Sequence, residues 1–221
     1  METNGYRAVY EGGQGEIIEK KSRFIATVLP IETEEEALEF IAKMKKKYWD
    51  ARHNCYAYVI GECQELPRSS DDGEPNGPAG RPMLDVLLHE DIHNTVVVVT
   101  RYFGGVLLGT GGLVRAYTEA VQEGLEHCVV LACSTGFKLR IETDYNGIGK
   151  LQYLARTLEL HELDIQYGEL VQMTLLVPED QIDAVEKDIT EQTAGKAQME
   201  REEKVAYGMS GKEIVFFGKK D

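Results

Sequence analysis

The chain has 221 residues, 43% hydrophobic and 28% charged, with 24 Lys+Arg against 38 Asp+Glu and a formal net charge of −14. That balance excludes a general electrostatic grip on nucleic acid or on an anionic membrane, which both need excess fixed positive charge, while leaving room for a local basic face. With only 6 prolines and an ordinary apolar fraction the chain is not disordered, and its length suits one or two domains with their own cores.

The acidity is evenly spread, with 13 basic against 21 acidic residues up to Cys133 and 11 against 17 from Ser134, so neither half is a basic arm. The start, Met1-Glu2-Thr3-Asn4-Gly5-Tyr6-Arg7, lacks the basic and apolar regions of a signal peptide. The longest strongly apolar run, residues 96–99, is too short for a bilayer, and a cytoplasmic protein without membrane association is expected. Cys55, Cys63, Cys128 and Cys133 form no CxxC pair and read as reduced thiols.

Along the chain, residues 22–31 predict a strand stopped by Pro30. Thr33-Glu34-Glu35-Glu36 is a capping box opening a helix with Leu38, Ile41, Met44 and Tyr48 on its inner face. Lys43, Lys45, Lys46 and Lys47 crowd the end of that helix, where cations suit the negative pole of the dipole; phosphate binding is the alternative use. Residues 53–60 alternate as a strand with His53, Cys55, Ala57 and Val59 toward the core. Residues 68–82 hold three of the 6 prolines and read as a loop, followed by a short helix around 83–89. The stretch 95–100 is β-branched throughout, which predicts a central strand covered on both faces. Arg101-Tyr102-Phe103-Gly104-Gly105 and Gly109-Thr110-Gly111-Gly112 then lead into a helix packed through Leu113, Val114, Tyr117, Val121 and Leu125.

From Ser134 the pattern restarts. Phe137, Leu139 and Ile141 alternate with charged residues, and a helix follows on Ile148, Leu151, Leu154, Ala155 and Leu158. Strands are expected near 163–167 and 170–177, then a helix opened by Pro178-Glu179-Asp180 on Ile182, Val185 and Ile189, and strands within 197–207 and 213–217. The order βαββαβ is the ferredoxin-like plan, so the whole is α+β with domains 1–133 and 134–221.

Between Trp49 and Tyr117 every basic residue is arginine (Arg52, Arg68, Arg81, Arg101, Arg115), although lysine predominates elsewhere. A guanidinium grips a carboxylate or phosphate in two places at once. These arginines either pair with Asp71, Asp72 and Glu74 to pin a polar loop, or line a cleft for a phosphate or carboxylate. The same acids with His53 form the catalytic set of an alternative, a metal-assisted hydrolase or phosphate-ester enzyme, though the EF-hand spacing is missing. Gly104, Gly105, Gly109, Thr110, Gly111 and Gly112 free backbone amides at a helix start, a natural anion site. Neither GxGxxG nor GxxxxGK[ST] is matched, and no cofactor is expected. His89-Glu90-Asp91-Ile92-His93 matches HExxH, but the strand that follows ends the helix, so no metal site is assigned. Cys55 with His53 reads as core packing, and no GxSxG occurs.

The run 68–82, then Val96-Val97-Val98-Val99-Thr100-Arg101-Tyr102-Phe103-Gly104-Gly105, then Leu108-Gly109-Thr110-Gly111-Gly112-Leu113-Val114-Arg115-Ala116-Tyr117, closely resembles the YigZ/IMPACT family. Ser22-Arg23-Phe24 and residues 53–58 extend the resemblance over nearly all of the first domain. It implies a ribosomal protein S5 domain 2-like first domain and a ferredoxin-like second domain similar to a module of elongation factor G. RNA, the ribosome or a translation-factor protein is the implied partner, with Arg68, Arg81, Arg101, Tyr102, Arg115 and the glycines lining the cleft. Eukaryotic members restrain the stress kinase acting on translation initiation factor 2, but the chain has no room for their extra amino-terminal interaction domain. The loop also reads Asn76-Gly77-Pro78 where the family pattern has Ser-Gly-Thr, removing two hydroxyls from an anion pocket. The expected function is a non-enzymatic, translation-associated RNA-binding regulator, with the hydrolase and a protein-interaction module pairing through a sheet edge as alternatives.

Overall fold

A computed structural model describes residues 5–75 and 77–218; Met1–Asn4, Asn76 and the last three residues lie outside the described residues, and with them the opening of the chain and the Asn76 position of the loop. In the unit Tyr6–Cys133 the elements run β1 (Tyr6–Glu11), β2 (Gly13–Glu19), β3 (Ser22–Pro30), α1 (Glu34–Lys47), β4 (His53–Ile60), β5 (Leu66–Ser70), α2 (Gly80–His89), β6 (Ile92–His93), β7 (Thr95–Tyr102), α3 (Gly109–Glu126) and the first part of β8 (Val129–Thr143).

The valine run of β7 organises this unit. β7 lies at the centre of an antiparallel sheet in the order β2-β3-β7-β4-β5. Val96 and Val98 face α1 through Phe40, Ile41 and Met44, while Val97 and Val99 face α2 and α3 through Met83, Leu87, Tyr117 and Val121. All four valines are fully buried, each stabilising the fold by about 1.5–3 kcal/mol relative to exposure. Cover on both faces is why the run does not alternate.

The capping box of α1 forms as expected, Thr33 accepting from the Glu36 amide and Glu36 reaching back to the Thr33 amide. Its inner face differs: Ala37, Phe40, Ile41 and Met44 are buried, and Leu38 is 51% exposed. The buried set is shifted in phase, with Phe40 in the same buried cluster as Tyr58, Val96 and Val98. The expected loop 68–82 also begins late, since β5 takes its first residues and pairs Ser70 with Tyr56. α2 starts at Gly80, ahead of Pro82, where the first turn tolerates a missing N–H.

β1 and β2 carry weak sequence signals. Gly15 on β2 is required because α3 crosses there: a Cβ would lie 2.6 Å from the Glu123 carbonyl carbon. The pairing Glu19↔Ser22 leaves Lys20 and Lys21 as a two-residue hairpin turn, with φ of 46° and 69°. Both are left-handed, as a type I′ turn demands, in a turn that ordinarily takes Asn-Gly.

Residues 134–218 form the second unit: the remainder of β8, α4 (Ile148–Thr157), β9 (His161–Tyr167), β10 (Val171–Pro178), α5 (Ile182–Thr193), β11 (Gln198–Ser210) and β12 (Glu213–Phe216). The antiparallel order is β9-β10-β8-β11-β12, with Leu139, Ile141, Leu151, Met173, Leu175, Val185 and Ile189 in one core under α4 and α5. The opposite face of β8 is polar, Lys138 pairing with Glu203 at 2.9 Å and Arg140 with Glu200 and Glu202. Pro178 does not open α5; it closes β10 opposite Gly136, where a strand end tolerates the lost donor, and the helix begins at Ile182. No helix among the described residues is long and apolar enough to cross a membrane.

The hairpin turn generates a prediction. Replacing Lys20→Asn with Lys21→Gly removes the strain of two left-handed lysines and should stabilise the chain by about 1 kcal/mol, read as a higher denaturation midpoint at unchanged m-value.

Candidate functional site

β7 ends at Tyr102 and β4 starts at His53, with Arg101 and His53 opposite each other in register. The loop after β5 folds across this end of the sheet and inserts Glu74, whose side chain is only 2% exposed. An interior carboxylate is tolerated only when paired and hydrogen-bonded. The guanidinium of Arg101, itself buried over the Phe24 ring, donates to Glu74 Oε1, and the Tyr117 hydroxyl donates to Oε2 at 2.8 Å. Burial pushes the Tyr117 phenol far above its ordinary range, so it remains a donor. His53 Nε2 stands 3.8 Å from Glu74 Oε2, and its Nδ1 donates to the Asp72 carbonyl at 3.0 Å. Cys55 donates to the Asp71 carbonyl at 3.0 Å; burial pushes its thiol up to about 12, so it is no thiolate at neutral pH.

The three loop acids reach three different places. Asp71 Oδ1 accepts from the Ala79 and Gly80 amides, both at 2.9 Å, and so caps the start of α2. Asp72 accepts from the Asn54 amide at 2.8 Å and from Lys45 Nζ at 2.5 Å. Glu74 takes Arg101 and Tyr117. Among the described residues no group of three or more His, Cys, Asp or Glu could hold a metal ion.

Beyond Tyr102 the glycine segment turns into α3. The Gly104 amide donates to Ser22 Oγ at 3.1 Å, and a Cβ there would collide with the Lys21 backbone at 2.0 Å, so only glycine lets the two turns meet. Gly105 and Gly109 have φ of 83° and 71°. Val106 and Leu107 between them are exposed, Leu107 at 82%. α3 begins at Gly109 after Leu108, and among the described residues no side chain caps it and no acid sits in its first turn. The amides of Gly109, Thr110 and Gly111, which precede the first intrahelical bond, therefore lack an anionic partner at the positive end of an 18-residue helix. Arg115 is exposed, its guanidinium near the Gly111 position.

Glu74, His53 and Arg101 thus come together, while Asp71 turns to the start of α2 and Asp72 to Asn54 and Lys45; Tyr102, Gly104, Gly105, Gly109, Thr110, Gly111, Gly112 and Arg115 follow Arg101 along the chain. Tyr102 donates to Asp50 at 2.8 Å, and Arg23 lies 5.8 Å from its ring. The other two arginines are held elsewhere: Arg68, exposed in the middle of β5, donates to the Pro67 carbonyl, and Arg81 is held outward by Asp85 at 2.7 Å. The HExxH histidines separate, His89 ending α2 and His93 lying buried on β6, stacked on Tyr6. Sequence reasoning missed the Tyr117 hydroxyl and the Lys20–Lys21 tip. Apolar residues on either side of two lysines, Ile17-Ile18 and Phe24-Ile25, were the only signal for that hairpin.

The family model of the Impact N-terminal domain matches residues 20–125, and that of a domain of unknown function, DUF1949, matches 141–196. Fold and matches together define a two-unit α+β protein built on an Impact N-terminal domain. The chain is 43% identical over 200 residues to the IMPACT family member YvyE of Bacillus subtilis (strain 168), covering 90% of this chain and 92% of that protein. To the IMPACT family member YigZ of Escherichia coli (strain K12) it is 31% identical over 183 residues, covering 81% and 89%. A crystal structure of a hypothetical protein superposes with a TM-score of 0.59 at 28% identity, over 90% of this chain and 98% of that one. The chain belongs to the IMPACT family.

Glu74→Ala leaves Arg101 buried without its counter-charge and should destabilise the chain by about 3 kcal/mol by chemical denaturation. The same substitution in an Arg101→Met background should cost much less, exposing the coupling. Iodoacetamide should modify exposed Cys63 on the native chain and reach Cys55 only on unfolding, as mass mapping would show.

Proposed function

We propose that this IMPACT-family chain is a non-catalytic regulator acting in translation, and that its amino-terminal unit binds RNA at the sheet end where β7 terminates. The sorting of charge carries this reading. The loop carboxylates are turned onto Arg101, Tyr117, Asn54, Lys45 and the start of α2, whereas Lys20, Lys21, Lys46, Arg52 and Arg115 are exposed with no ion pair among the described residues. By register Lys20, Lys21, Lys46 and Arg52 share one end of the sheet: Lys21 precedes the Arg23↔Tyr102 pair, Arg52 precedes His53↔Arg101, and α1 ends just before β4, while Arg115 lies on α3 beside Gly111. The uncapped amides of α3 add a fixed partial positive charge there, suited to a phosphate.

Two readings of the fold support the setting. We infer that the second unit is ferredoxin-like, since its elements run βαββαβ before β12 and its strands lie in the order β9-β10-β8-β11. The first unit we take as ribosomal protein S5 domain 2-like, the fold implied by the family motifs. Fold supplies only the setting; the site supplies the argument.

Filter binding of the purified chain to bacterial ribosomes and to structured RNA, across a salt series, tests this. Affinity should be measurable at low salt and fall steeply as salt rises, and Arg115→Ala or Lys20→Asn with Lys21→Gly should weaken it and flatten the log–log salt slope by about 1 per cation removed. No affinity at low salt, or affinity indifferent to these substitutions, overturns the proposal.

A further inference from the structure

We infer that the RNA taken at this sheet end is single-stranded, with an unpaired base stacked on Trp49; this rests on the RNA-binding reading above and deepens it. Trp49, the only tryptophan of the chain, follows the last turn of α1, is 82% exposed, and makes no ring or cation contact among the described residues. A solitary exposed indole is an unfilled apolar face. Its surroundings alternate aromatic rings and cations. Lys47 Nζ sits 4.8 Å from the ring centre of Tyr48, Asp50 accepts from the Tyr102 hydroxyl, and Arg23 lies 5.8 Å from the Tyr102 ring.

Two of the bordering acids are engaged, which reduces their repulsion of a phosphate. Glu16 accepts two bonds from Arg23, both at 2.8 Å, and Asp50 is held by Tyr102. The neighbouring hairpin tip points the same way, because Lys20 and Lys21 occupy left-handed backbone that Asn-Gly would fill without strain. The turn thereby carries two exposed cations where Asn-Gly would carry none. Bases inside an A-form duplex are stacked on one another and offer no free π-face, whereas a single strand places a base on the ring and its phosphates on the flanking cations.

As the sole indole, Trp49 reports directly on stacking. Oligouridylate titrated into the full chain at low salt should quench the fluorescence to saturation, and a hairpin duplex RNA of equal charge should bind more weakly without quenching. By anisotropy of labelled RNA, Trp49→Ala should weaken oligouridylate about tenfold and leave the duplex unchanged, and Trp49→Phe should recover most of the loss. Equal affinity for both RNAs without quenching, or no effect of Trp49→Ala, overturns the single-strand inference while the RNA-binding reading stands. Absence of binding to both overturns the two together.

Discussion

Glu74 is a carboxylate placed inside a protein, and its pairing with the Arg101 cation and the Tyr117 hydroxyl governs what surrounds it. The cation comes from the end of the central strand, the hydroxyl from the long helix and the acid from the loop, so one buried interaction ties three segments distant in sequence. Removing any partner strands a charge or a polar group where water cannot reach it. The loop is thereby drawn across the end of β7, where Asp71 meets the start of α2 and Asp72 the first residues of β4. An acid-rich loop that sequence alone could read as a cation trap is instead a clasp.

That inward turn of the carboxylates is what would let a chain of formal charge −14 take an anion at the proposed site. Repulsion from the whole chain falls off over about a Debye length in physiological salt, so a compact group of cations can dominate locally while the distant acids lower overall affinity. Binding of this kind is weak, salt-sensitive and selective for ligands small enough to lie on the basic end. Gly104 sets the geometry of this end, because only a residue without Cβ lets the Lys21 turn and the approach to α3 sit side by side.

Much of the fold was legible from the residues. The unbroken β-branched run marked a strand buried on both faces, the capping box marked α1, and alternation at Phe137, Leu139 and Ile141 marked β8. β2 was hidden because Gly13 and Gly15, which admit α3, erase its periodicity, and β5 because Pro67 and two serines resemble a loop. For the site, the arginine window and glycine segment were visible, but not which arginines turn inward. Arg101 and Arg115 are the same residue type in the same stretch; only the burial of Phe24 and Tyr117 around one of them separates clasp from exposed cation.

The central claim is that the exposed end of the first sheet, rather than the acid loop or the second unit, meets RNA. Amide chemical-shift mapping of the isotope-labelled full chain during titration with oligouridylate tests this most directly. The account predicts shifts concentrated in 20–23, 46–52 and 103–115, with 134–218 unmoved. Shifts centred on residues 134–218, or none at saturating ligand in low salt, would contradict it.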